Sequence, residues 1–132
     1  MIIKNLVLEA LTRTDILSKL LNSKDLPVRS SFQLGKLVKL LSDAIKDYTD
    51  AKQKLLEKYA ERDEAGKLKV ENNQYIVSSE NILQFNSDLT ELLEIDIDLP
   101  MDKVKINLDN IPTGLISPVD FPFLENFIEF EE

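Results

Sequence analysis

The stretch that decides the fold is residues 31–62, SFQLGKLVKLLSDAIKDYTDAKQKLLEKYAER. Its apolar residues recur at alternating spacings of three and four, which is the heptad pattern of an amphipathic helix. They are Leu34, Leu37, Leu41, Ala44, Tyr48, Ala51 and Leu55. This seam predicts one helix over the whole stretch, with a length of about 48 Å. The sequence that follows, ending at Gly66, is suited to stop it.

The apolar seam needs a covering surface, and the sequence leaves two interpretations open. The seam can pack against a later helix of the same chain or against a second copy of the chain. Residues 80–93 form a second amphipathic segment, in which Ile82, Phe85, Leu89 and Leu92 share one face. We expect this segment to lie antiparallel to the long helix, with the rest of the seam covered by other parts of the chain.

Short strands are predicted around the two helices. Residues 67–77 alternate apolar and polar side chains on either side of an Asn-Asn pair, which predicts a β-hairpin. Residues 94–108 alternate in the same way around a Pro-Met-Asp turn, which predicts a second hairpin. Residues 2–11 fit a strand or a helix equally well, and a short helix is expected within residues 14–21.

Together these elements predict an α+β fold that is mainly helical and forms a single domain over residues 1–132. We expect a helical-hairpin core at residues 14–93, with a long antiparallel helix pair. An acidic segment of short strands and a C-terminal Phe-rich helix is expected at residues 94–132. The hydrophobic fraction of 43% is sufficient for one core in a chain of this length.

The composition excludes several classes of site. The chain contains no His and no Cys, so it cannot form a disulfide, a Cys/His zinc site, a thiol nucleophile or a His-based triad. Glu94, Asp96, Asp98 and Asp102 are the one acidic group to consider for a metal ion, and a solvated strand face is the simpler interpretation. We therefore expect no catalytic residue, no cofactor and no metal.

Charge is divided unevenly along the chain. Residues 1–69 contain 14 Lys and Arg against 10 Asp and Glu, a net charge of +4. Residues 70–132 contain 2 against 14, a net charge of −12. This division suggests that the halves attract each other, a second copy or a basic partner, although a solvated acidic surface is the plainer interpretation. Because basic residues alternate with acidic ones and no long apolar run exists, we expect no nucleic-acid or membrane partner.

The C-terminal stretch 121–130, FPFLENFIEF, is the candidate partner-binding site. It holds four of the six Phe residues of the chain, and aromatic anchors dominate the energetics of protein interfaces. As a helix it would be apolar on two faces, which cannot both be buried against one surface. The candidate contact residues are Phe121, Phe123, Leu124, Phe127, Ile128 and Phe130. The alternative is that this tail completes the core.

Three stretches of the chain resemble small proteins of unknown function from tailed bacteriophages. They are LPVRSSFQLGKLVKLL (26–41), KLLEKYAERDEAGKLKV (54–70) and ISPVDFPFLENFIEF (116–130). The resemblance covers under half of the chain. It implies a short helix, a long helix that leads through an acidic Gly turn into a hairpin, another helix and a C-terminal docking segment. Such proteins are often encoded among phage structural or accessory genes, and the resemblance carries over no functional residue.

We therefore expect a non-enzymatic phage protein that acts by protein–protein contact, as a virion structural or assembly component. Its partner would be another copy of itself, another phage protein or a host protein. The alternative is a soluble acidic phage inhibitor of a host defence system, acting as a surface mimic or as an oligomer that sequesters a nucleotide signal. Either function places the protein in the host cytoplasm or in the virion.

Overall fold

A single long helix organises the computed structural model, which describes residues 1–132. The α-helices are α1 (Asn5–Leu11), α2 (Ile16–Leu21), α3 (Val28–Tyr59), α4 (Ile82–Leu93) and α5 (Phe121–Leu124). The strands are β1 (Ile2–Lys4), β2 (Val70–Glu71), β3 (Gln74–Tyr75), β4 (Asp96–Asp98), β5 (Val104–Asn107) and β6 (Ile128–Glu131). Short 3-10 turns span Leu108–Asn110 and Pro118–Asp120. The mainly helical α+β class is thus confirmed.

The long helix predicted over residues 31–62 is confirmed as α3, which begins and ends three residues earlier. It starts directly after Pro27, whose extended ψ of 151° keeps that residue outside the helix. The seam residues with 3% exposure or less are Leu34, Leu37, Leu41 and Tyr48. Farther along, Ala51 and Leu55 are only half-buried. The first half of the seam therefore lies in the core, and the last turns of the helix are more open.

Helix α4 packs against the C-terminal part of α3. The rings of Tyr59 and Phe85 meet edge to face, with centroids 6.3 Å apart. The hydroxyl of Tyr59 also donates a hydrogen bond of 2.5 Å to a carboxylate oxygen of Asp88. A mixed apolar and polar contact therefore joins the start of α4 to the end of α3.

The hairpin predicted at residues 67–77 is confirmed. Strands β2 and β3 pair antiparallel, with Val70 opposite Tyr75. The turn residues Asn72 and Asn73 have positive φ angles of 53° and 64°, a conformation that Asn tolerates better than most residues. An isolated β-bridge between Ala60 and Val77, which follows β3, attaches the hairpin to the end of α3. The hairpin therefore extends the long helix at its C-terminal end.

The second hairpin, predicted at residues 94–108, is wrong in its pairing. Strand β4 pairs antiparallel with β1, with Ile97 opposite Ile3. Strand β5 pairs parallel with the C-terminal strand β6, with Ile106 opposite Phe130. Alternating side chains predict a strand and its buried face but not its partner, and here both partners come from the ends of the chain. Residues 2–11, left open above, contain a strand followed by a helix.

The predicted C-terminal Phe-rich helix is not what the chain forms. Helix α5 has only four residues, and the chain then turns and runs as β6 beside β5. In β6, Ile128 is buried and Phe130 is half-buried, whereas Glu129 and Glu131 are exposed. This alternation is a period-two signal in the sequence that identifies a strand. The segment buries one face against the core and leaves its acidic face in water.

Polar groups tie the first helix to distant segments. The backbone N–H of Asn5 donates to the carbonyl of Ile95 at 3.0 Å, and its side-chain amide donates to the carbonyl of Leu92 at 2.9 Å. The side-chain oxygen of Asn5 is buried and has no hydrogen-bond partner. Asn5 lines a cavity of about 150 Å³ together with Ala51 and Leu92.

The tail belongs to the same core as the long helix, since Leu124 is fully buried in the cluster that contains Leu34. We expect Leu124→Ala to lower the free energy of unfolding by about 2–5 kcal/mol, because it leaves a cavity in a packed core. The matched control is Val119→Ala at a site 79% exposed, which should change stability by less than about 0.5 kcal/mol. Urea denaturation followed by circular dichroism measures both. Equal effects of the two substitutions would contradict the assignment of the tail to the core.

Candidate interaction surfaces

The C-terminal candidate residues are divided between core and surface. Three of the six have no more than 1% exposure: Leu124, Phe127 and Ile128. The other three are half-buried: Phe121, Phe123 and Phe130. The rings of Phe121 and Phe130 meet edge to face with centroids 5.1 Å apart. Half of the candidate set therefore completes the core, which was the alternative stated above, and a contact role for the exposed edges of the other half stays a prediction.

A more exposed apolar surface lies on the first turns of α3, where no contact site was predicted. Val28 is 87% exposed and Phe32 is 73% exposed, and the two lie one helical turn apart. The hydroxyl of the buried Ser30 donates a hydrogen bond of 3.0 Å to the carbonyl of Lys105, which fixes this part of α3 against β5. The two apolar side chains are thus presented on an anchored segment.

Cations surround this apolar pair, and we call the set Lys24, Val28, Arg29, Phe32 and Lys36 the basic end. Residues 24–39 contain four Lys and Arg against one Asp, a net charge of +3. Phe32 borders two open grooves, of about 370 Å³ and about 520 Å³. Arg29 and Lys36 line the first groove, and Lys24 and Val28 line the second. An exposed aromatic ring between two grooves with cationic walls is suited to receive an apolar side chain from an acidic partner.

The sequence contains a signal for the basic end that the heptad spacing of α3 does not show. Phe32 lies off the buried stripe that begins at Leu34 and falls three residues after Arg29 and four before Lys36. On a helix these spacings place both cations beside the ring. A large apolar residue on the polar face of an amphipathic helix therefore marks the surface.

Two of the four acidic residues considered for a metal ion, Glu94 and Asp96, form ion pairs with a lysine. In the β1–β4 pair, Lys4 lies opposite Asp96, and its Nζ is 3.2 Å from a carboxylate oxygen of Glu94 and 3.6 Å from one of Asp96. The hydrogen bond from Lys4 to Glu94, and then the charge of Asp96, raise the pKa of Lys4. In the molecule as a whole, no three acidic side chains are arranged to hold a metal ion.

One carboxylate is held by a side-chain cluster that joins α1 to α3. Tyr48, which is 3% exposed, donates a hydrogen bond of 2.6 Å from its hydroxyl to Glu9. Lys52 lies 3.4 Å from the same carboxylate, and Arg13 lies 3.1 Å from its other oxygen. The hydrogen bond from Tyr48 lowers the pKa of Glu9, and the two cations lower it further. Glu9 is therefore an ionised anchor that joins α1 to Tyr48 of α3, 39 residues later in the sequence.

We expect Tyr48→Phe to lower the free energy of unfolding by about 1–2 kcal/mol at pH 7, because it removes a hydrogen bond to a charged group. A carboxylate with a lowered pKa stabilises the fold above its unfolded pKa, near the ordinary value of 4.5, and that stability is lost as the pH falls through its folded pKa. The difference in free energy of unfolding between the Tyr48→Phe variant and the unchanged chain should therefore become smaller below about pH 4. Urea titrations at pH 7 and pH 3 measure it.

The control for this prediction is Tyr75→Phe, a substitution on the hairpin strand β3, which should be nearly neutral at both pH values. An effect of Tyr48→Phe that is the same at pH 7 and pH 3 would contradict a role for the Glu9 charge. It would assign the lost stability to packing around the ring alone.

Comparisons of this chain with known proteins give no family assignment. None of the helices is both long enough and apolar enough to cross a membrane. No protein-family model matches the sequence, and neither a curated protein nor a solved structure matches it.

Proposed function

We propose that this chain is a non-enzymatic protein of a tailed bacteriophage that acts by protein–protein contact, as a virion structural or assembly component. The observation that carries the proposal is the basic end, where Phe32 and Val28 stand 73% and 87% exposed one turn apart. Single exposed apolar residues are common on proteins and need no explanation. An exposed Phe and Val with Arg29 between them have the composition of an interface core, in which aromatic residues and Arg are enriched.

The cations of the basic end indicate the charge of the partner. Lys24, Arg29 and Lys36 lie on the walls of the grooves that border Phe32. Such a rim attracts an acidic surface during encounter and repels basic ones, so it contributes to association rate and specificity. The partner contact that fits the basic end therefore combines an apolar side chain with acidic neighbours.

The arrangement of the two main helices also supports a role as an assembly component. We infer that α4 runs antiparallel to α3, because Phe85 near its start contacts Tyr59 and Leu92 near its end lines a cavity with Ala44. A paired long helix gives an elongated body with two different ends. The phage origin in this proposal is supported by the resemblance of residues 26–41, 54–70 and 116–130 stated above.

A density-gradient fractionation of cells infected by the phage that encodes the chain tests this proposal. We expect the chain to sediment with assembled particles, and we expect Phe32→Asp to leave it in the soluble fraction. The new carboxylate at position 32 would lose water on entering the interface, and the apolar contact of the Phe32 ring would be missing, so binding would be weakened. Val119→Ser, at a site 79% exposed, is the matched control and should sediment like the unchanged chain.

Each other outcome of the fractionation contradicts the proposal at a defined step. An unchanged chain found only in the soluble fraction would overturn the virion role and favour the inhibitor of a host defence system. Particles that incorporate the Phe32→Asp chain as well as the unchanged chain would show that the basic end is not the contact. Circular dichroism of each purified variant establishes that its helices are intact before the comparison.

A further inference from the structure

The end of the molecule opposite the basic end is also apolar and exposed, but acidic. Val70 on β2 is 58% exposed, and Ile82 and Leu83 at the start of α4 are 37% and 81% exposed. The hairpin is bridged to residue 60, and the side chain of Asn81 donates a hydrogen bond to the carbonyl of Tyr59. These exposed apolar residues therefore lie around the C-terminal end of α3.

Acidic residues dominate this region. Residues 60–94 contain three Lys and Arg against eight Asp and Glu, a net charge of −5. Glu71 on β2 and Glu80 just before α4 are exposed beside the apolar residues in the chain. We call the set Val70, Glu71, Glu80, Ile82 and Leu83 the acidic end.

The two ends cannot satisfy each other within one chain. Phe32 of the basic end and Tyr59, to which the acidic end is attached, lie on the same helix and are 27 residues apart. At a rise of 1.5 Å per residue this is about 40 Å. A straight helix holds them at that separation, so a contact between the ends has to join two molecules.

We propose that the acidic end of a second copy of this chain occupies the basic end, so that copies associate head to tail. Charge complementarity carries this choice of partner, since residues 24–39 around the basic end have a net charge of +3 and residues 60–94 around the acidic end have one of −5. Each end also exposes the apolar residues that a partner would bury. The inference rests on the proposed function, because it names the partner of the same basic end.

Head-to-tail contact has a geometric consequence for assembly. The surfaces that meet are different, so the interface is heterologous, and each added copy leaves one free basic end and one free acidic end. Such a contact produces a ring if the rotation between copies closes and a filament if it does not. Both products are larger than the dimer that a self-complementary surface would form.

Light scattering on the purified full chain and two variants tests the inference. Phe32→Asp disables the basic end, and Leu83→Ser removes the most exposed apolar side chain of the acidic end. Over about 1 μM to 1 mM the unchanged chain should associate beyond a dimer, whereas each variant alone should associate at least about tenfold more weakly. An equimolar mixture of the two variants should form dimers and nothing larger. Phe32→Asp keeps an intact acidic end and Leu83→Ser keeps an intact basic end, and these two ends are complementary.

Two further measurements accompany the mixture. Raising the salt concentration from about 0.05 M to 0.5 M should weaken association of the unchanged chain, because the screening length falls from roughly 14 Å to 4 Å. Val119→Ser is again the control and should associate like the unchanged chain, since it is exposed and lies outside both ends. Salt-insensitive association would overturn the charge-based choice of the acidic end as the partner surface.

The remaining outcomes separate this inference from the proposed function. An unchanged chain that stays at 15.1 kDa throughout the concentration range would overturn self-association. Particle fractionation could still show dependence on Phe32 in that case, and the basic end would then bind a different protein. Association that survives both single variants, or a mixture that forms no dimer, would overturn the pairing of the basic with the acidic end.

Discussion

The apolar stripe of α3 has to be covered along a helix of about 48 Å, and the other elements are arranged by this requirement. Helix α4 has 12 residues and covers the C-terminal part of α3, where Phe85 contacts Tyr59. The remainder is covered by pieces: α1, α2 and β5 contact α3, and the tail shares its core. Leu8, Leu20, Ile106 and Leu124 are buried in the same cluster as Leu34. No single partner element of sufficient length exists, so the fold is assembled from short segments.

Covering one helix with short segments brings distant parts of the chain together. Strand β1 pairs with β4, and β5 pairs in parallel with β6. Two-stranded pairs of this kind have little stability of their own and depend on the core beneath them. Polar contacts also hold these distant segments together. Asn5 donates a hydrogen bond to the end of α4, and Glu9 accepts a hydrogen bond from Tyr48 on α3. The N-terminal segment is thus held by hydrogen bonds as well as by apolar contacts.

The same requirement leaves the two ends of α3 exposed. The covering segments bury Leu34 and Tyr48 but leave Phe32 and Val28 in water at one end. At the other end the hairpin and the start of α4 surround Tyr59, and Leu83 remains exposed. In the proposed head-to-tail contact, the opposite charges of the two ends attract each other between molecules. A long helix with incomplete cover therefore connects the packing of the core to the proposed function.

The sequence by itself determined the elements whose signals are local. The heptad spacing of α3 and the Asn-Asn turn of the β2–β3 hairpin involve residues close together in the chain, and both predictions are confirmed. Periodicity shows that a segment has an apolar face, but it does not show what covers that face. The partners of β4 and β5 and the hydrogen bond between Glu9 and Tyr48 were decided only by the tertiary structure. Each depends on packing between residues far apart in sequence, where many pairings satisfy the same local pattern and the shared core selects one.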